Sequence, residues 1–356
     1  MRELHDEPLA GYTTMRVGGP AARMVVAETT DELVDAVREV DDAEEPLLVL
    51  GGGSNLVLPD EGFAGTVVLV ATQGVEVDSA DSCGGANVVV AAGEPWDPFV
   101  ERAVAEGWSG IEALSGIPGS TGATPVQNVG AYGQEVAQTI ARVRVWDRLE
   151  ERVRTMTSLD CRFTYRHSLF KGTDRYVVLD VMFQLVLADL SGPVRYADLA
   201  TQLGVDVGAR VPLADAREAV LAQRRRRGMV LDAEDHDTWS CGSFFTNPVL
   251  TAEEFESLEA RVAERLGADA VPPRFPEAGG RVKTSAAWLI ERAGFGKGHA
   301  MPGPAALSTK HTLAVTNRGE ARAADVVALA REVRDGVQDA FGVTLVNEPV
   351  ILGQTL

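Results

Sequence analysis

Three glycine-rich segments in the first 135 residues restrict the fold more than any other feature of this chain. They are RVGGPA at residues 16–21, GGGSN at 51–55 and GIPGSTGATPVQNVGAYGQE at 116–135. Glycine lets backbone N–H groups approach an anion and adopts positive φ angles without steric cost. One such segment alone is typical of a structural turn, but the three together favour a site for a long diphosphate cofactor.

Two sharper nucleotide-binding motifs are absent from the sequence. The spacing after Gly51 does not fit the dinucleotide fingerprint G-x-G-x-x-G, and GFGKGH at residues 294–299 does not fit the P-loop pattern. A Rossmann-type NAD enzyme and a P-loop kinase are therefore disfavoured.

Hydrophobic periodicity predicts a mixed α/β chain. Residues 31–40 have helical spacing, and the apolar run at 47–50 leads directly into glycines. Buried strands are predicted at 66–70 and 87–93, with a helix at 94–107 that begins through a proline. Strands resume at 141–147 and at 175–187, where the alternation favours a half-exposed sheet. The segment at 110–135 is predicted to be a loop.

The C-terminal third is predicted to form a compact α+β domain. A helix that carries four arginines begins near Ala214, and residues 251–266 have the pattern of an amphipathic helix. Further helices are predicted at 285–294 and 324–342, before a closing strand at 344–352. A chain of 356 residues suits two or three domains.

Charge and cysteine content exclude several classes of protein. With 33 basic and 52 acidic residues the formal net charge is -19, which disfavours nucleic-acid binding. Arg224 to Arg227 are compatible with either a solvated helix face or a local anion site. The three cysteines form no C-x-x-C pair, and no metal-ligand spacing is found. Since no long apolar run occurs, we expect a soluble, cytoplasmic protein.

Several strings resemble those of one enzyme family. TTMRVGGPA, LGGGSNLV and IPGSTGATPVQNVGAYGQE resemble the flavin-binding elements of the UDP-N-acetylenolpyruvoylglucosamine reductase (MurB) family. The resemblance continues through YRHSLFK at 165–171, GSFFTNP at 242–248, RVKTSAAWLIERAG at 281–294 and NEPVIL at 347–352. It covers essentially the whole chain.

The resemblance implies an α+β fold of the vanillyl-alcohol-oxidase, or PCMH-like, FAD-binding type. The expected parts are FAD-binding subdomains at residues 1–72 and 73–212 and a substrate-binding domain at 213–356. The last strand could pack back on the second subdomain. The implied reaction is the NADPH-dependent reduction of UDP-N-acetylglucosamine enolpyruvate to UDP-N-acetylmuramate through bound FAD, in peptidoglycan precursor synthesis.

The resemblance implies that three residues act in the reduction, and the side chain of each has chemistry that suits its role. Arg166 binds the substrate carboxylate through its planar guanidinium. Glu348, protonated or through a water, donates to the same carboxylate as charge develops on it. Ser243 is the general acid that protonates the α-carbon of the enolpyruvyl group.

The family pattern also implies two sets of binding residues. The FAD contacts are expected at Leu50, Gly51, Gly52, Gly53, Ser54, Asn55, Pro118, Gly119, Ser120, Gly122, Ala123, Gln127, Asn128, Gly130, Ala131, Tyr132, Gly133, Glu135 and Tyr165. The contacts to the nucleotide sugar or NADPH are expected at Tyr196, Arg224, Arg227, Asn247, Phe275, Lys283 and His311.

Some alternatives stay open at this point. His311 also fits an ordinary histidine near the start of a strand. Cys241, beside the GSFF motif, fits either a small apolar filler or a redox-sensitive thiol. A flavin oxidase of the same fold would share the glycine-rich segments but not the YRHS, GSFF and NEPV motifs, and a non-catalytic regulator would bind the UDP-sugar without oxidising NADPH.

Overall fold

The computed structural model describes residues 1–81 and 83–356. The strands are β1 (Arg2–Pro8), β2 (Pro20–Ala27), β3 (Leu47–Leu50), β4 (Leu56–Val57), β5 (Phe63–Val70), β6 (Val75–Asp81), β7 (Gly85–Ala91), β8 (Trp108–Ser109), β9 (Gly130–Ala131), β10 (Gln134–Glu135), β11 (Ile140–Asp147), β12 (Arg152–Thr157), β13 (Tyr176–Leu187), β14 (Val249–Leu250), β15 (Phe275–Pro276), β16 (Val282–Lys283), β17 (Ala305–Leu307), β18 (Val315–Asn317) and β19 (Val350–Ile351). The α-helices are α1 (Thr30–Asp42), α2 (Trp96–Ala105), α3 (Ala197–Leu203), α4 (Leu213–Arg226), α5 (Ala252–Leu266), α6 (Ala286–Ala293) and α7 (Ala323–Phe341).

The chain forms two compact units. Unit 1 contains Met1–Glu7, Pro20–Gly53 and Phe63–Val230. Unit 2 contains Pro8–Gly19, Ser54–Gly62 and Leu231–Leu356. The division of the chain at residues 72 and 212 stays a prediction, and α4 belongs to unit 1.

The first sheet of unit 1 places the glycines at residues 51–53. Its strand order is β1-β2-β5-β3, and β2 and β3 both run parallel to β5. Helix α1 connects β2 to β3 and begins at Thr29, whose side chain accepts a hydrogen bond from the Glu32 N–H. Since its apolar residues recur at helical spacing, α1 buries one face, and β3 then ends directly at Gly51.

The second sheet of unit 1 is antiparallel and has β13 at its centre. Its main strand order is β12-β11-β13-β7-β6, and β8 pairs with the end of β13. The expectation that β13 is half-exposed was wrong for its first part, because residues 177–179 and 181–183 are buried one after another. It holds for the end of the strand, where buried and exposed residues alternate from Phe183 to Val186. The first part is covered on both faces and has no solvent side to keep polar. Rings of Trp96, Phe99 and Phe183 pack there at centroid distances of 5.3–5.8 Å.

Unit 2 packs three helices around small sheets. Helix α7 buries an extended apolar face against residues of α5, α6 and β17–β18, including Val326, Val333 and Phe341. Strands β14, β16 and β15 form a three-stranded antiparallel sheet. Helix α5 begins at Thr251 with a capping box, in which the Thr251 side chain and the Glu254 side chain each accept a backbone N–H.

The closing strand is shorter than predicted. Of residues 344–352 only Val350–Ile351 form a strand, which runs parallel to β4. Pro349 has no N–H with which to extend the pairing, and a single bridge between Phe245 and Asn347 precedes it. The partner strand, Leu56–Val57, lies outside the range 73–212 with which we expected it to pack. Within residues 1–81 and 83–356, no helix combines the length and the apolar character needed to cross a membrane.

Candidate active site

Two of the predicted flavin segments lie in direct backbone contact in unit 1. A methyl group placed on Gly52 would lie 2.5 Å from the Gly119 Cα, and one on Gly51 would lie 2.5 Å from the Ser120 Oγ. The Gly52 N–H donates to the Ser120 Oγ at 3.3 Å. Any side chain at these positions would separate the two loops, so glycine is a packing requirement here.

This arrangement fits a diphosphate group. Gly53 and Gly119 have φ angles of 57° and 118°, which L-residues rarely adopt, and the loop at 51–53 follows the end of a parallel strand. Gly122 packs on Ala92, where an added methyl group would lie 2.5 Å from the Ala92 Cβ. Leu50 is fully buried under the loop. Pro118 and Gly119 are half-exposed, and Ala123 is exposed, so this stretch of loop is open to a ligand.

A strained hairpin lies in the second half of the predicted flavin segment, residues 116–135. Strands β9 and β10 pair across a two-residue turn, in which Tyr132 and Gly133 have φ angles of 49° and 86°. Positive φ at both central residues is what a type I′ turn requires, and a tyrosine at the first of them is unusual. Such strain persists where the surrounding structure holds it, as it often does at binding sites.

Arg166 is brought to this hairpin by a tight turn. Thr164 and His167 exchange two backbone hydrogen bonds, and Arg166 between them has a φ angle of 52°. Its Nη2 donates to the carbonyl oxygen of Gly130 at 2.8 Å. The guanidinium carbon lies 5.3 Å from the centroid of the Tyr165 ring. The structure therefore places two predicted residues, Arg166 and Tyr165, beside the predicted flavin loop.

Asn128 holds the same region together through its side chain. Its Nδ2 donates to the Glu135 carboxylate at 2.9 Å and to the Thr164 carbonyl at 3.1 Å, while its Oδ1 accepts the Ala137 N–H. Asn128 is 1% exposed, so it supports the loop from beneath. Gln127, on its N-terminal side, is half-exposed.

Tyr196 and the two predicted arginines are also in unit 1. The rings of Tyr132 and Tyr196 meet edge to face at a centroid distance of 5.8 Å, and Tyr196 is 52% exposed. Arg224 is half-buried on α4, and its Nη2 donates to the Met229 carbonyl at 2.7 Å. Arg227 forms an exposed ion pair with Asp198 at 3.1 Å.

The basic run divides into two environments. Arg225 is exposed and pairs with Glu218 at 3.2 Å, and Arg226 is exposed and bonds to Gln202. By contrast, the Arg224 Nε is buried and has no hydrogen-bond partner among the described residues. Burial lowers the pKa of the Arg224 guanidinium to about 10, so it remains a cation at neutral pH. A half-buried cation with a buried, spare Nε–H supports the anion-site interpretation for Arg224. The exposure of Arg225 and Arg226 supports the solvated-face interpretation for those two residues.

In unit 2 the predicted proton donor sits ahead of two anchored aromatic rings. Gly242, with a φ angle of 73°, precedes Ser243. Phe244 and Phe245 are at most 2% exposed, and their centroids lie 5.3 Å apart. Ser243 itself is half-exposed, and its Oγ makes no hydrogen bond to any residue in the described ranges. The two buried rings thus anchor the backbone next to a half-exposed serine.

Glu348 is brought to the same place by the backbone. Its N–H donates to the Phe244 carbonyl at 2.8 Å, and its carbonyl accepts from the Asn55 Nδ2 at 3.2 Å. The Asn55 carbonyl in turn accepts the Val350 N–H at 2.9 Å. Ser54 and Asn55 belong to unit 2, so the GGGSN segment divides between the two units. Unit 2 therefore gathers Asn55, Ser243 and Glu348.

The remaining predicted substrate residues are also in unit 2. Phe275 is 51% exposed and lies directly opposite Lys283 in the register of β15 and β16. Lys283 forms an ion pair with Glu277. The Asn247 Oδ1 accepts the Ala286 N–H at 3.0 Å, at the start of α6. His311 is half-exposed in a turn before β18, two residues ahead of Leu313, whose carbonyl accepts the Phe244 N–H.

The burial of Cys241 supports its interpretation as a small apolar residue that fills space. It is 9% exposed, and its Sγ lies 3.4 Å from the Leu56 carbonyl. Burial raises the pKa of the Cys241 thiol to about 12, which suppresses the reactive thiolate at neutral pH. Among the described residues, no group of three or more His, Cys, Asp or Glu side chains is arranged to hold a metal ion.

Asp97 is a supporting residue that the sequence reasoning missed. Its carboxylate accepts the Gly116 N–H at 2.6 Å and binds Arg217 of α4 through two hydrogen bonds at 2.7 and 3.1 Å. Although burial favours its neutral form, the hydrogen bonds from Arg217 and Gly116 lower the pKa of Asp97. Asp97 thus ties the start of the predicted flavin segment to α2 and α4. A lone acid at the start of a helix gives no sequence signal for this role.

Comparisons with known proteins agree with this arrangement. A model of the C-terminal domain of UDP-N-acetylenolpyruvoylglucosamine reductase matches residues 234–352, and a model of an FAD binding domain matches residues 21–156. The UDP-N-acetylenolpyruvoylglucosamine reductase of Thermobifida fusca is 60% identical to this chain, and the alignment covers 98% of each chain. The reductase of the same name from Streptomyces avermitilis is 59% identical, and its alignment covers 100% of this chain and 96% of the relative. The crystal structure of the reductase from Thermus caldophilus has 26% identity, a TM-score of 0.64 and 98% coverage of both chains.

Proposed function

This chain belongs to the UDP-N-acetylenolpyruvoylglucosamine reductase family. We propose that it reduces UDP-N-acetylglucosamine enolpyruvate to UDP-N-acetylmuramate with Arg166, Glu348 and Ser243 as the residues that act on the substrate. It is an FAD-dependent oxidoreductase of peptidoglycan precursor synthesis. When bound, FAD would supply hydride chemistry for the enolpyruvyl double bond, with NADPH as the reductant. Use of NADPH supports a cytoplasmic location for the reaction.

The cofactor is proposed to be held by the contacting glycine loops of unit 1. Its diphosphate is assigned to the backbone N–H groups of Gly51, Gly53, Gly119 and Ser120, because the glycines keep this backbone open. The Gly52, Thr121 and Gly122 N–H groups instead hold the loops through the Ser120 Oγ and the Glu94 and Ala92 carbonyls. The strained hairpin at 130–135 and Tyr165 complete the contacts. Asn128 and Asp97 act indirectly, by fixing the loops that make those contacts.

Two residues are proposed to stabilise negative charge on the substrate. Hydride addition at the β-carbon pushes negative charge toward the α-carbon and the carboxylate. Arg166, whose guanidinium is oriented by the Gly130 carbonyl, binds that carboxylate. Glu348 donates a proton or a hydrogen bond to the same group, and its backbone is fixed on both sides by Phe244 and Asn55.

Ser243 is proposed to deliver the proton that completes the reduction. Its Oγ makes no hydrogen bond to the described residues, so its O–H is free to point at the α-carbon of a bound substrate. The nucleotide diphosphate is assigned to Tyr196, Arg224, Arg227 and Asn247, and the uridine side to Phe275 and Lys283. His311 is assigned to the substrate side.

One observation favours this proposal over a flavin oxidase of the same fold. The glycine loops are compatible with either enzyme, whereas the hydrogen bond from the Glu348 N–H to the Phe244 carbonyl joins the NEPV and GSFF segments. A hydroxyl donor and a carboxyl group are thereby placed on neighbouring backbone. That pair suits protonation of carbon beside a carboxylate, and the oxidation of an alcohol does not need it.

An anaerobic two-step experiment tests the function. NADPH should bleach the flavin absorbance of the purified protein, and UDP-N-acetylglucosamine enolpyruvate should then restore it with formation of UDP-N-acetylmuramate. Flavin that is reduced by an alcohol or hydroxy acid in place of NADPH would favour the oxidase. Saturable binding of the UDP-sugar without any NADPH oxidation would favour a regulator.

A further inference from the structure

A buried carboxylate with no role so far lies at the start of the flavin loop. Glu112 is 2% exposed and opens the short 3₁₀ turn at Glu112–Leu114. Its Oε2 accepts the Gly110 N–H at 2.7 Å. Its Oε1 accepts the Gly192 N–H at 2.6 Å and the Gln134 Nε2–H at 2.8 Å. Three N–H donors from three separate segments therefore converge on one side chain.

The charge of Glu112 is balanced only by these donors. The hydrogen-bond partners of its carboxylate in the described part of the chain are the N–H groups of Gly110, Gly192 and Gln134, and none of them is a cation. Burying a carboxylate is costly unless it is fully hydrogen-bonded, so the donors must stay close to their observed positions. The side chain consequently restrains the geometry of the segments that supply them.

The first of these segments is the hairpin of the flavin loop. Gln134 uses both ends of its amide, because its Nε2 donates to Glu112 while its Oε1 accepts the Ala113 N–H at 2.7 Å. Gln134 immediately follows Tyr132 and Gly133, the two residues with strained positive φ angles. The reciprocal pair therefore fixes the hairpin at its turn.

The second segment leads to the substrate tyrosine. Gly192 lies four residues before Tyr196, which caps α3. A methyl group on Gly192 would lie 3.2 Å from the Gln134 Nε2 and 3.5 Å from the Glu112 Oε1, so the segment packs closely on the pair. The ring of Tyr196 meets the ring of Tyr132 at 5.8 Å. The hairpin and the Tyr196 segment thus share two connections, one through Glu112 and one through the tyrosines.

We propose that Glu112 is a positioning residue that holds the flavin hairpin and the Tyr196 segment in one arrangement. FAD binding and nucleotide-sugar binding then depend on the same buried carboxylate, although Glu112 contacts neither ligand. The inference rests on the proposed function, because it takes the hairpin as a cofactor contact and Tyr196 as a substrate contact.

Glu112→Gln tests this with almost no change in volume. An amide offers one oxygen to three donors, so its NH₂ must face a backbone N–H and leave that donor unpaired. We expect the dissociation constant of FAD and the KM for the nucleotide sugar each to rise about tenfold, with a smaller fall in kcat at saturation. FAD affinity is measured by fluorescence titration of the apo-protein, and KM at saturating FAD.

Asp147→Asn is the matched control. Asp147 is another fully buried carboxylate of unit 1 that accepts backbone N–H groups, from Leu149 and Glu150. Its other partners are Arg154 and Arg175, and none of the four is a predicted ligand contact. We expect this variant to lower Tm while changing the FAD constant and KM by less than about twofold.

The outcomes separate the inference from the function on which it rests. A parent protein that binds no FAD, or fails the two-step reaction, overturns the function. If the parent passes and Glu112→Gln lowers Tm but leaves the FAD constant and KM unchanged, Glu112 is only structural. A change in the FAD constant alone overturns the shared arrangement. If Glu112→Gln does not fold, Gly192→Ala is the second variant, because its added methyl group would crowd Glu112 and Gln134. This variant should raise the KM for the nucleotide sugar, and an unchanged KM would also overturn the inference.

Discussion

The flavin loops of unit 1 and the GSFF–NEPV segments of unit 2 achieve rigidity by opposite means. In unit 1 two loops touch through glycine backbone, and an added methyl group would lie 2.5 Å from a neighbouring Cα. In unit 2 the large rings of Phe244 and Phe245 are buried, and the half-exposed Ser243 directly precedes them in the chain. Adding an atom should therefore damage the first region, whereas removing one should damage only chemistry in the second.

The largest expected effect is the removal of the Ser243 hydroxyl. Ser243→Ala takes away an oxygen that makes no hydrogen bond to the described residues, so folding and FAD content should be unchanged. Reoxidation of the flavin by the enolpyruvyl substrate should slow by roughly 100- to 10,000-fold, as expected for loss of a general acid. Reduction by NADPH should continue at nearly the parent rate, because that step delivers no proton to carbon.

Anaerobic stopped-flow measurement of both half-reactions checks this result. Equal slowing of both halves would show that the serine positions a ligand. Parent-rate reoxidation would remove Ser243 from the mechanism altogether.

Next in size is the addition of a methyl group to the flavin loop. Gly52→Ala would force its Cβ against the backbone of Gly119, and overpacking typically costs about 1–3 kcal/mol. If that strain falls on the bound arrangement, the FAD dissociation constant should rise by about 5- to 150-fold. Gly296→Ala is the control, because that glycine has an ordinary φ angle and open space around it. Equal FAD affinity in both variants would contradict the proposed diphosphate site at the contacting glycine loops.

The two regions also differ in how far the sequence predicted them. Clustered glycines are visible in a sequence because the close approach that they permit is a property of the residue type. The helix bounds followed from periodicity, and α1, α5 and α7 begin and end within two residues of the prediction. The closing strand was overestimated, since Pro349 limits it to two residues.

What the sequence could not predict depends on contacts between distant segments. Glu112 is a single acid in an apolar run, and two of its three partners, Gln134 and Gly192, lie 22 and 80 residues away. Arg224 and Arg225 are adjacent and chemically identical, yet one is half-buried and the other exposed. Position on the folded helix, rather than residue type, separates them. The site residues taken from the motif matches stay predictions, which the variants of Ser243, Gly52 and Arg224 test.

A smaller effect on ligand binding is expected when Arg224 and Arg225, two neighbours in the basic run, are replaced separately. Arg224→Ala removes a half-buried cation with a spare Nε–H, and loss of a charge-assisted hydrogen bond is worth about 1.5–3 kcal/mol, or roughly ten- to a hundredfold in KM for the nucleotide sugar or NADPH. Arg225→Ala removes only an exposed pair with Glu218 and should leave both constants unchanged. If the two variants behaved alike, Arg224 would have no special role in binding an anion.

The smallest effect on either region should come from Asp147, whose removal acts on stability alone. The hydrogen bond from Arg175, opposed by burial and reinforced by Arg154 and the Glu150 N–H, lowers the pKa of Asp147 far below its ordinary value. A carboxyl group with a lower pKa in the folded state stabilises the fold above its unfolded pKa, about 3.9, and loses that contribution as the pH falls toward the folded pKa.

Asp147→Asn should therefore reduce the free energy of unfolding at pH 7, by about 1.5–3 kcal/mol for lost hydrogen bonds to a charged group. The difference from the parent should shrink steadily below about pH 4. Denaturant unfolding at a series of pH values measures it, and other acids cancel because they titrate in both proteins. A difference that stayed constant down to the lowest accessible pH would mean that Asp147 contributes through packing and not through its charge.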